Sequence, residues 1–435
     1  MTAAMVGTVG IVIFLACLLI GLPIWASMLG VGMIGFGVLA GFDSAFKMAP
    51  MDIFSSLASY NFSVVAMFTL MGFFAYHSGI GSKLFDFAYK CLGFMPGGLA
   101  IATEGACAAF GAICGSGPAT VATIGSIAFP EMKKFKYDDT LATASVAAGG
   151  GLGLLIPPSV TAIVYGVMTE TSIGRLFVGG ITAGILLMIL YMIAIYIMVK
   201  RKPELAPQGE KFTLKEKLAS VNGGLLETII IFAITIGGLA AGWFTPTEGG
   251  AIGAFAMFAV CLIRRKLPMK ALIASLYDTA RTVGMCLLLV ACVTVFQRFV
   301  VISNIPQALA EALMNIDAPP KVVFLLIVLI YLIGGCFLDG LPLILITVPI
   351  FFSVVMDLGF DPVWFGVIVT MVCVMGMITP PVGINVYVMR GVTKGEISLE
   401  TIFKGVWPFV GCILIAIVIS LMFPQLLLFL PQLIY

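Results

Sequence analysis

The sequence predicts an all-α polytopic membrane protein made of two inverted-topology repeats, with about ten spans, two re-entrant hairpins and discontinuous helices at the membrane midplane. The first observation behind this prediction is composition. Of 435 residues, 61% are hydrophobic and 10% are charged, and the mean hydropathy is +1.16. So little charge cannot cover a soluble surface. The apolar runs are long enough for helices of about 20 residues and lack the alternation of barrel strands.

The second observation is an internal repeat, in which glycines and prolines recur after a shift of 223 residues. Eight positions match at this shift, whereas composition alone predicts about three. The matched residues are Pro23, Gly30, Pro96, Gly111, Gly117, Gly153, Pro157 and Pro158 in the first half, and Pro246, Gly253, Pro319, Gly334, Gly340, Gly376, Pro380 and Pro381 in the second. Helix breakers inside matched hydrophobic segments are typical of secondary transporters.

The pattern divides the chain into a first repeat over 1–199, a linker over 200–221 and a second repeat over 222–435. Five spans are predicted in each repeat, and they are 4–20, 24–40, 53–79, 140–169 and 176–199, then 222–243, 247–263, 281–302, 363–390 and 403–424. The first segment lacks a basic leader region, so we expect a retained span and not a cleaved signal peptide.

A hairpin is predicted between the third and fourth spans of each repeat, at 96–130 and 319–355. Each arm has about 14–17 residues, which is short for a membrane crossing. We therefore expect tips near the midplane, with two short tilted spans as the alternative. Segments 80–94 and 306–317 combine charged and apolar residues and are predicted to lie along the membrane interface.

Loop charges give the expected orientation. Basic residues outnumber acidic ones in 200–217, 264–270 and 390–396, and acidic residues outnumber basic ones in 41–52, 303–318 and 356–362. With ten spans, the basic loops fall on one side, which the positive-inside rule makes cytoplasmic. Both termini are then predicted to be periplasmic, and the repeats inverted.

Four Gly/Pro breaks interrupt apolar segments, at 115–118, 149–159, 339–342 and 376–385. Backbone groups exposed at that depth cost several kcal/mol each unless they line a protein cavity. Pro118, Pro158, Pro342 and Pro381 are each expected to begin a half-helix, because proline suits the first helical turn. Half-helix N-termini favour an anion, and the carbonyls that end the preceding half-helices suit a sodium ion.

Polar side chains beside the breaks are candidate ligands. Neutral oxygens come from Ser116, Thr120, Ser159, Thr347, Thr379 and Asn385. Asp339 is a functional candidate because a carboxylate at mid-membrane is costly. Its structural alternatives are pairing with an arginine and helix capping. Glu104 and Glu248 also lie near or within apolar runs, where we expect structural or interfacial roles, with a role in coupling as the alternative.

Several function classes are excluded by the sequence. A net charge of +2 gives no reason to expect a nucleic-acid partner. No P-loop motif is present, and enzyme motifs that need several histidines cannot form around His77 alone. The ten cysteines show no ligand spacing and are expected to be small buried hydrophobes. We expect no enzyme activity and no cofactor, with transport driven by an ion gradient or a partner.

The segments GAICGSGPATVATIGSIAFPEM and GGGLGLLIPPSVTAIVYGVMTETSIGRLFVGGITAG, with GCFLDGLPLILITVPI and LGFDPVWFGVIVTMVCVMGMITPPVGINVYV, resemble the large membrane subunit of TRAP (tripartite ATP-independent periplasmic) transporters. The resemblance implies a sodium-coupled importer of organic acids such as C4-dicarboxylates or sialic acids, in the bacterial inner membrane. It further implies an elevator-type mechanism, a small four-helix membrane subunit and a periplasmic substrate-binding protein as partners. Membrane lipids would surround the spans.

The resemblance also implies site residues at the hairpin tips and facing breaks. Sodium would be bound by Ser116, Gly117, Pro157, Asp339, Gly340, Thr379, Pro380 and Gly383. The substrate would be bound by Pro118, Thr120, Ser159, Thr347, Pro381 and Asn385. The first tip departs from the family's Ser-rich pattern, since it reads Cys-Gly-Ser-Gly-Pro over 114–118. Backbone carbonyls are the expected replacement for a hydroxyl there.

Two other functions fit part of the pattern. A stand-alone sodium/anion symporter would share the hairpins and breaks but work without partners. A channel would need a continuous polar stripe along a pore, whereas the polar groups cluster at the midplane.

Overall fold

A computed structural model describes residues 2–207, 209–220, 225–314 and 319–435. Across these residues the regular structure is helical, and no strand is found. The helices of the first half are α1 (Ala3–Leu19), α2 (Ile24–Ala40), α3 (Phe42–Leu57), α4 (Ser63–His77), α5 (Ile80–Leu92), α6 (Gly98–Cys114), α7 (Gly117–Lys134), α8 (Asp139–Leu155), α9 (Val160–Thr169) and α10 (Ile173–Arg201).

The described helices then continue through the linker and the second half. They are α11 (Leu214–Ser220), α12 (Leu225–Ala240), α13 (Pro246–Ile263), α14 (Met269–Ile302), α15 (Ile305–Met314), α16 (Pro320–Phe337), α17 (Gly340–Asp357), α18 (Pro362–Gly376), α19 (Ile384–Val392), α20 (Leu399–Met422) and α21 (Gln425–Ile434). The predicted boundary between linker and second repeat, at 221–222, lies outside the described residues.

The shift found in the sequence also relates helices of the two halves. Helix α17 begins and ends 223 residues after α7. The carboxylate of Asp138 accepts hydrogen bonds from the first-turn amides of α8, and that of Asp361 does the same for α18. Because an aspartate at this position satisfies amides that the helix leaves free, the same local signal begins both helices.

Seven helical segments in the described part of the chain are long and apolar enough to cross a membrane, with α8 and α9 counted together as Asp139–Thr169. The number becomes eight if the bent pair Phe42–Leu57 and Tyr60–His77 counts as one span. Several predicted spans, such as 4–20 and 24–40, form shorter apolar helices of 17 residues. The protein is thus a multi-pass helical membrane protein, and the exact number of crossings stays a prediction.

Two predicted boundaries are wrong. Residues 41–52, expected to be a loop, lie largely in α3, and the predicted span 53–79 is bent by 47° near Ala58. Helix α3 forms because its small and polar residues at helical spacing, including Ala45, Ala49 and Asp52, are buried. Burial of one face stabilises this helix, although the composition of the segment predicts a loop.

Both predicted discontinuous spans are confirmed. The segment 140–169 is divided into α8 and α9, and the segment 363–390 into α18 and α19. The interface segment 80–94 forms α5, whereas part of 306–317 lies outside the described residues and the rest belongs to α15.

The centre of the molecule is formed by α6, α7 and α8, with α10, α18 and α20 packed around them. Almost every residue of α8 is buried. A Cβ placed on Gly111 of α6 would lie 2.3 Å from the Cα of Gly153 on α8. The glycine therefore permits the first hairpin to approach the broken helix backbone to backbone.

Candidate functional site

The first hairpin tip is the turn between α6 and α7. Gly115 ends α6 with a φ of +63°, and Ser116 is extended and caps α7 through a 3.5 Å hydrogen bond from the Ala119 amide to its Oγ. Pro118 is the second residue of α7, as predicted, where an amide N–H is not needed. The Thr120 hydroxyl donates to the Ser116 carbonyl at 2.8 Å, which ties the first helical turn to the tip.

This tip contacts the first break. A Cβ on Gly115 would lie 2.2 Å from the carbonyl oxygen of Pro158, so the two backbones touch. Pro157, Pro158 and Ser159 are all buried, and the bond joining the two prolines is cis. Pro158 does not begin the half-helix as expected. Ser159 caps α9 instead, with its Oγ accepting from the Ala162 amide at 3.3 Å.

The second tip is the turn between α16 and α17. The Asp339 carboxylate accepts from the Gly340 amide at 2.8 Å and so occupies the cap of α17. A Cβ on Gly340 would lie 3.0 Å from the Cβ of Cys373 on α18. Pro342 falls in the first turn, as predicted. The capping role raised for Asp339 is therefore present, and it leaves the second carboxylate oxygen available for another partner.

The second break lies next to the end of α16. The Val382 amide donates to the carbonyl of Cys336 at 3.3 Å, and the Cys336 thiol lies 3.6 Å from the Thr379 hydroxyl. The bond between Pro380 and Pro381 is cis, and both residues are exposed.

A cavity of about 500 Å³ opens at this break, lined by Pro381, Val382, Ile384, Tyr387 and Val388. Pro381 does not begin α19 as expected. Gly383, with a φ of +43°, directly precedes the helix.

Asn385 connects the two halves. This fully buried side chain lies on α19, and its Nδ2 donates to the carbonyl of Ala147 on α8 at 3.0 Å. Its Oδ1 has no hydrogen-bond partner among the described residues. A Cβ on Gly117 would lie 3.3 Å from that Oδ1 and 2.8 Å from the Met377 Cε. The amide oxygen of the second half therefore faces the start of α7 at the first tip.

The hairpins exchange partners between the halves. Helix α7 packs against α19, and a Cβ on Gly125 would lie 3.3 Å from the Met389 sulfur. Helix α17 packs against α9, where the rings of Tyr165 and Phe352 meet edge to face with centroids 6.3 Å apart. Each hairpin thus lies on the half-helix that follows the break of the other half.

One predicted ligand lies away from the tips. Thr347 is seven residues into α17, a distance of about 10 Å along a helix. Its hydroxyl donates to the Leu343 carbonyl of its own helix at 2.6 Å. Thr347 is therefore not placed with the tip residues by the geometry of α17.

Sequence reasoning missed several neighbours of the site. Met377 contacts Gly117, and the thiols of Cys114 and Cys336 lie within 3.4–3.6 Å of Thr120 and Thr379. The cysteines stand inside the tip motifs, so their position was the available signal. Met377 has no polar group that would have marked it.

Two pairs of ionisable side chains were also missed. His77 bonds to Asp278 at 2.9 Å, and Arg298 forms two bonds to Asp52 at 3.0 and 3.3 Å. Glu248, expected to be structural or interfacial, forms a capping box with Thr245 at the start of α13. All ten cysteines are free, and six of them are buried as predicted, whereas Cys17, Cys91, Cys114 and Cys336 are half-buried.

Broken helices and two helical hairpins around one shared polar region define a multi-pass membrane permease. The particular family follows from the match of residues 11–426 to the model of the tripartite ATP-independent periplasmic transporter, DctM component. The chain belongs to this family, the large permease subunits of TRAP transporters. Family membership implies a small membrane subunit and a periplasmic binding protein as partners, and a bacterial inner-membrane location.

The names of similar proteins state the substrates of those proteins. A C4-dicarboxylate TRAP transporter large permease protein of Pseudomonas aeruginosa is 34% identical, with 90% of each chain covered. A sialic acid TRAP transporter large permease protein of Vibrio cholerae is 33% identical, with 97% of each chain covered. These relatives are transporters and not enzymes, as expected here.

The fold also resembles that of a more distant solved structure. The YdaH transporter of Alcanivorax borkumensis superposes with a TM-score of 0.59 at 15% identity, with 96% of this chain and 98% of that chain covered. At this identity the likeness shows a shared fold.

Proposed function

We propose that this chain is the permease subunit of a sodium-coupled importer of organic acids that a periplasmic binding protein delivers. The observation that carries the proposal is the buried Asn385 Oδ1, which has no described partner and faces Gly117 at the start of α7. Sodium prefers neutral and anionic oxygen ligands, and an unpaired buried oxygen is costly without one. The tip residues Ser116 and Gly117 and the break residue Asn385 therefore fit a small cation.

An organic acid fits the helix termini beside this oxygen. Helices α7 and α9 begin at the first tip and the first break, and α17 and α19 begin at the second tip and the second break. Each N-terminus presents free amide N–H groups and a positive partial charge, which favour a carboxylate. The cavity of about 500 Å³ beside Pro381 gives such a ligand a route to the start of α19.

Alternating access of the elevator type fits the arrangement of the halves. The 223-residue shift between α7 and α17 and the exchanged partners of the two hairpins support inverted repeats. In that mechanism the hairpins and broken helices carry sodium and substrate past the remaining helices. The excess of basic residues in the loops on one side supports a periplasmic position for both termini.

Reconstitution tests the proposal. The permease is placed in proteoliposomes with and without a small TRAP subunit, a binding protein and an inward sodium gradient, and uptake of radiolabelled organic acids is measured. We expect uptake only with sodium and both partners. Sodium-driven uptake by the permease alone would instead establish a stand-alone symporter.

A substitution at Asn385 tests whether its unpaired oxygen binds sodium. Asn385→Ala removes the unpaired oxygen. We expect the sodium concentration for half-maximal uptake to rise about tenfold, because the loss of one ligand that contributes about 1.4 kcal/mol to sodium binding weakens binding by that factor. Asn61→Ala, on a short helical turn away from the breaks, is the matched control. An unchanged sodium dependence in Asn385→Ala would show that this oxygen is not a ligand.

A further inference from the structure

A buried carboxylic acid lies on the first hairpin, away from its tip. Glu104 on α6 is 0% exposed, and neither of its carboxylate oxygens has a hydrogen-bond partner among the described residues. It precedes Cys114, the last residue of α6, by ten positions, or about 15 Å of helix. The site described above therefore does not use this carboxyl group.

The pocket around Glu104 is formed by four helices. A Cβ on Gly149 of α8 would lie 2.8 Å from the Glu104 Oε2 and 3.0 Å from the Cys107 sulfur. The ionisable groups within electrostatic range are Cys107 on α6, Tyr191 on α10 and Cys412 on α20. The Tyr191 hydroxyl is also buried without a described partner.

No positive charge in the described part of the chain compensates this acid. Among the described residues, no lysine or arginine forms an ion pair with Glu104. Helices α4, α5 and α7 also pack on α6, and they place no hydrogen-bonding group on the carboxyl oxygens. An isolated ionised carboxylate in such surroundings is far more costly than the neutral acid.

We infer that Glu104 is a proton-binding site, in which the carboxyl group stays protonated at neutral pH while the hairpin packs against α8, α10 and α20. Protonation gives the side chain one O–H donor. The Tyr191 hydroxyl, which can both donate and accept a hydrogen bond, is the candidate partner for that donor. Release of the proton would leave a negative charge enclosed by the packed helices, whereas the unfolded chain ionises this carboxyl group freely, so the packed state loses stability as the pH rises above the ordinary carboxyl range.

The direct test is infrared difference spectroscopy of the full-length permease in lipid. We expect a C=O stretch of a neutral carboxylic acid at neutral pH that shifts in deuterated water and is absent in Glu104→Gln. Glu400→Gln is the control, because Glu400 is an exposed acid on α20 that pairs with Lys404. A spectrum without a neutral-acid band that depends on Glu104 would overturn the inference.

A second measurement follows stability against pH and does not depend on the transport proposal. Between about pH 5 and about pH 8 we expect the unfolding temperature of the wild type to fall by several degrees more than that of Glu104→Gln, because the unfolded chain ionises this carboxyl group in that range while the packed protein keeps it neutral. A parallel fall in both proteins would contradict the inference. Sodium-driven uptake should show the same difference over this pH range if the proposed transport function holds.

A neutral side chain of similar length should be accepted at this position. If Glu104→Gln fails to fold, Glu104→Met replaces it, since it brings no unpaired polar atoms. We expect wild-type amounts of folded protein for at least one of the two. Failure of both would show that the carboxyl group has a partner that depends on its charge, and the proton site would be withdrawn.

Discussion

The two proline breaks are equivalent in sequence but differ in their surroundings. The break at Pro157 and Pro158 is enclosed, with the Pro158 carbonyl against Gly115 of the first tip. The break at Pro380 and Pro381 is exposed beside a cavity of about 500 Å³. The same local signal thus produces the same kind of interruption twice, while tertiary packing decides which one is exposed. The proposed alternating-access mechanism is compatible with this inequality, because it does not require both breaks to be open at the same time.

Gly115→Ala tests the enclosed break and has the largest expected effect. A Cβ there meets the Pro158 carbonyl at 2.2 Å, and the φ of +63° disfavours any side chain. We expect sodium-driven uptake to be lost. Gly359→Ala is the control, because its φ of +81° imposes similar strain with nothing within 4 Å of the added Cβ. Equal loss in both variants would show that strain and not the tip contact is responsible.

Asp339→Ala tests the tip beside the open break. The substitution removes the cap of α17 and a proposed sodium ligand, and we expect uptake to fall about 30-fold, the equivalent of about 2 kcal/mol. Asp357→Ala, at the exposed opposite end of α17, should leave uptake unchanged. Membrane insertion, measured by the amount of protein in the bilayer, should be normal in both. Wild-type uptake by Asp339→Ala would remove this residue from the site.

Thiol labelling compares the two breaks directly. In a background without native cysteines, Ser159→Cys places a thiol at the enclosed break and Val382→Cys places one at the cavity. We expect a membrane-impermeant reagent to label position 382 at least about tenfold faster, as opening of the enclosed break would cost about 1.4 kcal/mol or more. Equal rates would show that the two breaks are equally accessible.

Ser116→Ala has the smallest expected effect. The hydroxyl caps α7 through a long 3.5 Å bond, and the backbone carbonyl of Ser116 keeps its own bonds without it. We expect uptake to fall about threefold, since a weak cap contributes less than about 1 kcal/mol. Ser126→Ala, an exposed residue on the same helix, is the control. A loss as large as that of Asp339→Ala would indicate that the hydroxyl itself binds the ion.

The positions of the breaks could be predicted from the sequence, because glycine, proline and aspartate act on their own backbone neighbours. Asp138 and Asp361 begin their helices through hydrogen bonds to amides only two or three positions further along the chain. The helical state of 42–57 and the surroundings of Asn385 depend on residues far along the chain. No local pattern carries that information, so the enclosed and open breaks could not be told apart beforehand. The missing partners of Glu104 were hidden for the same reason.

The exchanged packing of the hairpins has a consequence for the origin of the chain. Helix α7 needs α19 and helix α17 needs α9, so a single half would lack one wall of its own binding region. Under the proposed inverted topology, a half-length ancestor could have functioned only as a pair of copies inserted in opposite directions. Gene duplication and fusion would then have fixed one copy in each direction, after which the two breaks were free to diverge. Two halves of the present protein, produced as separate polypeptides, should complement each other only when both are made in the same cell.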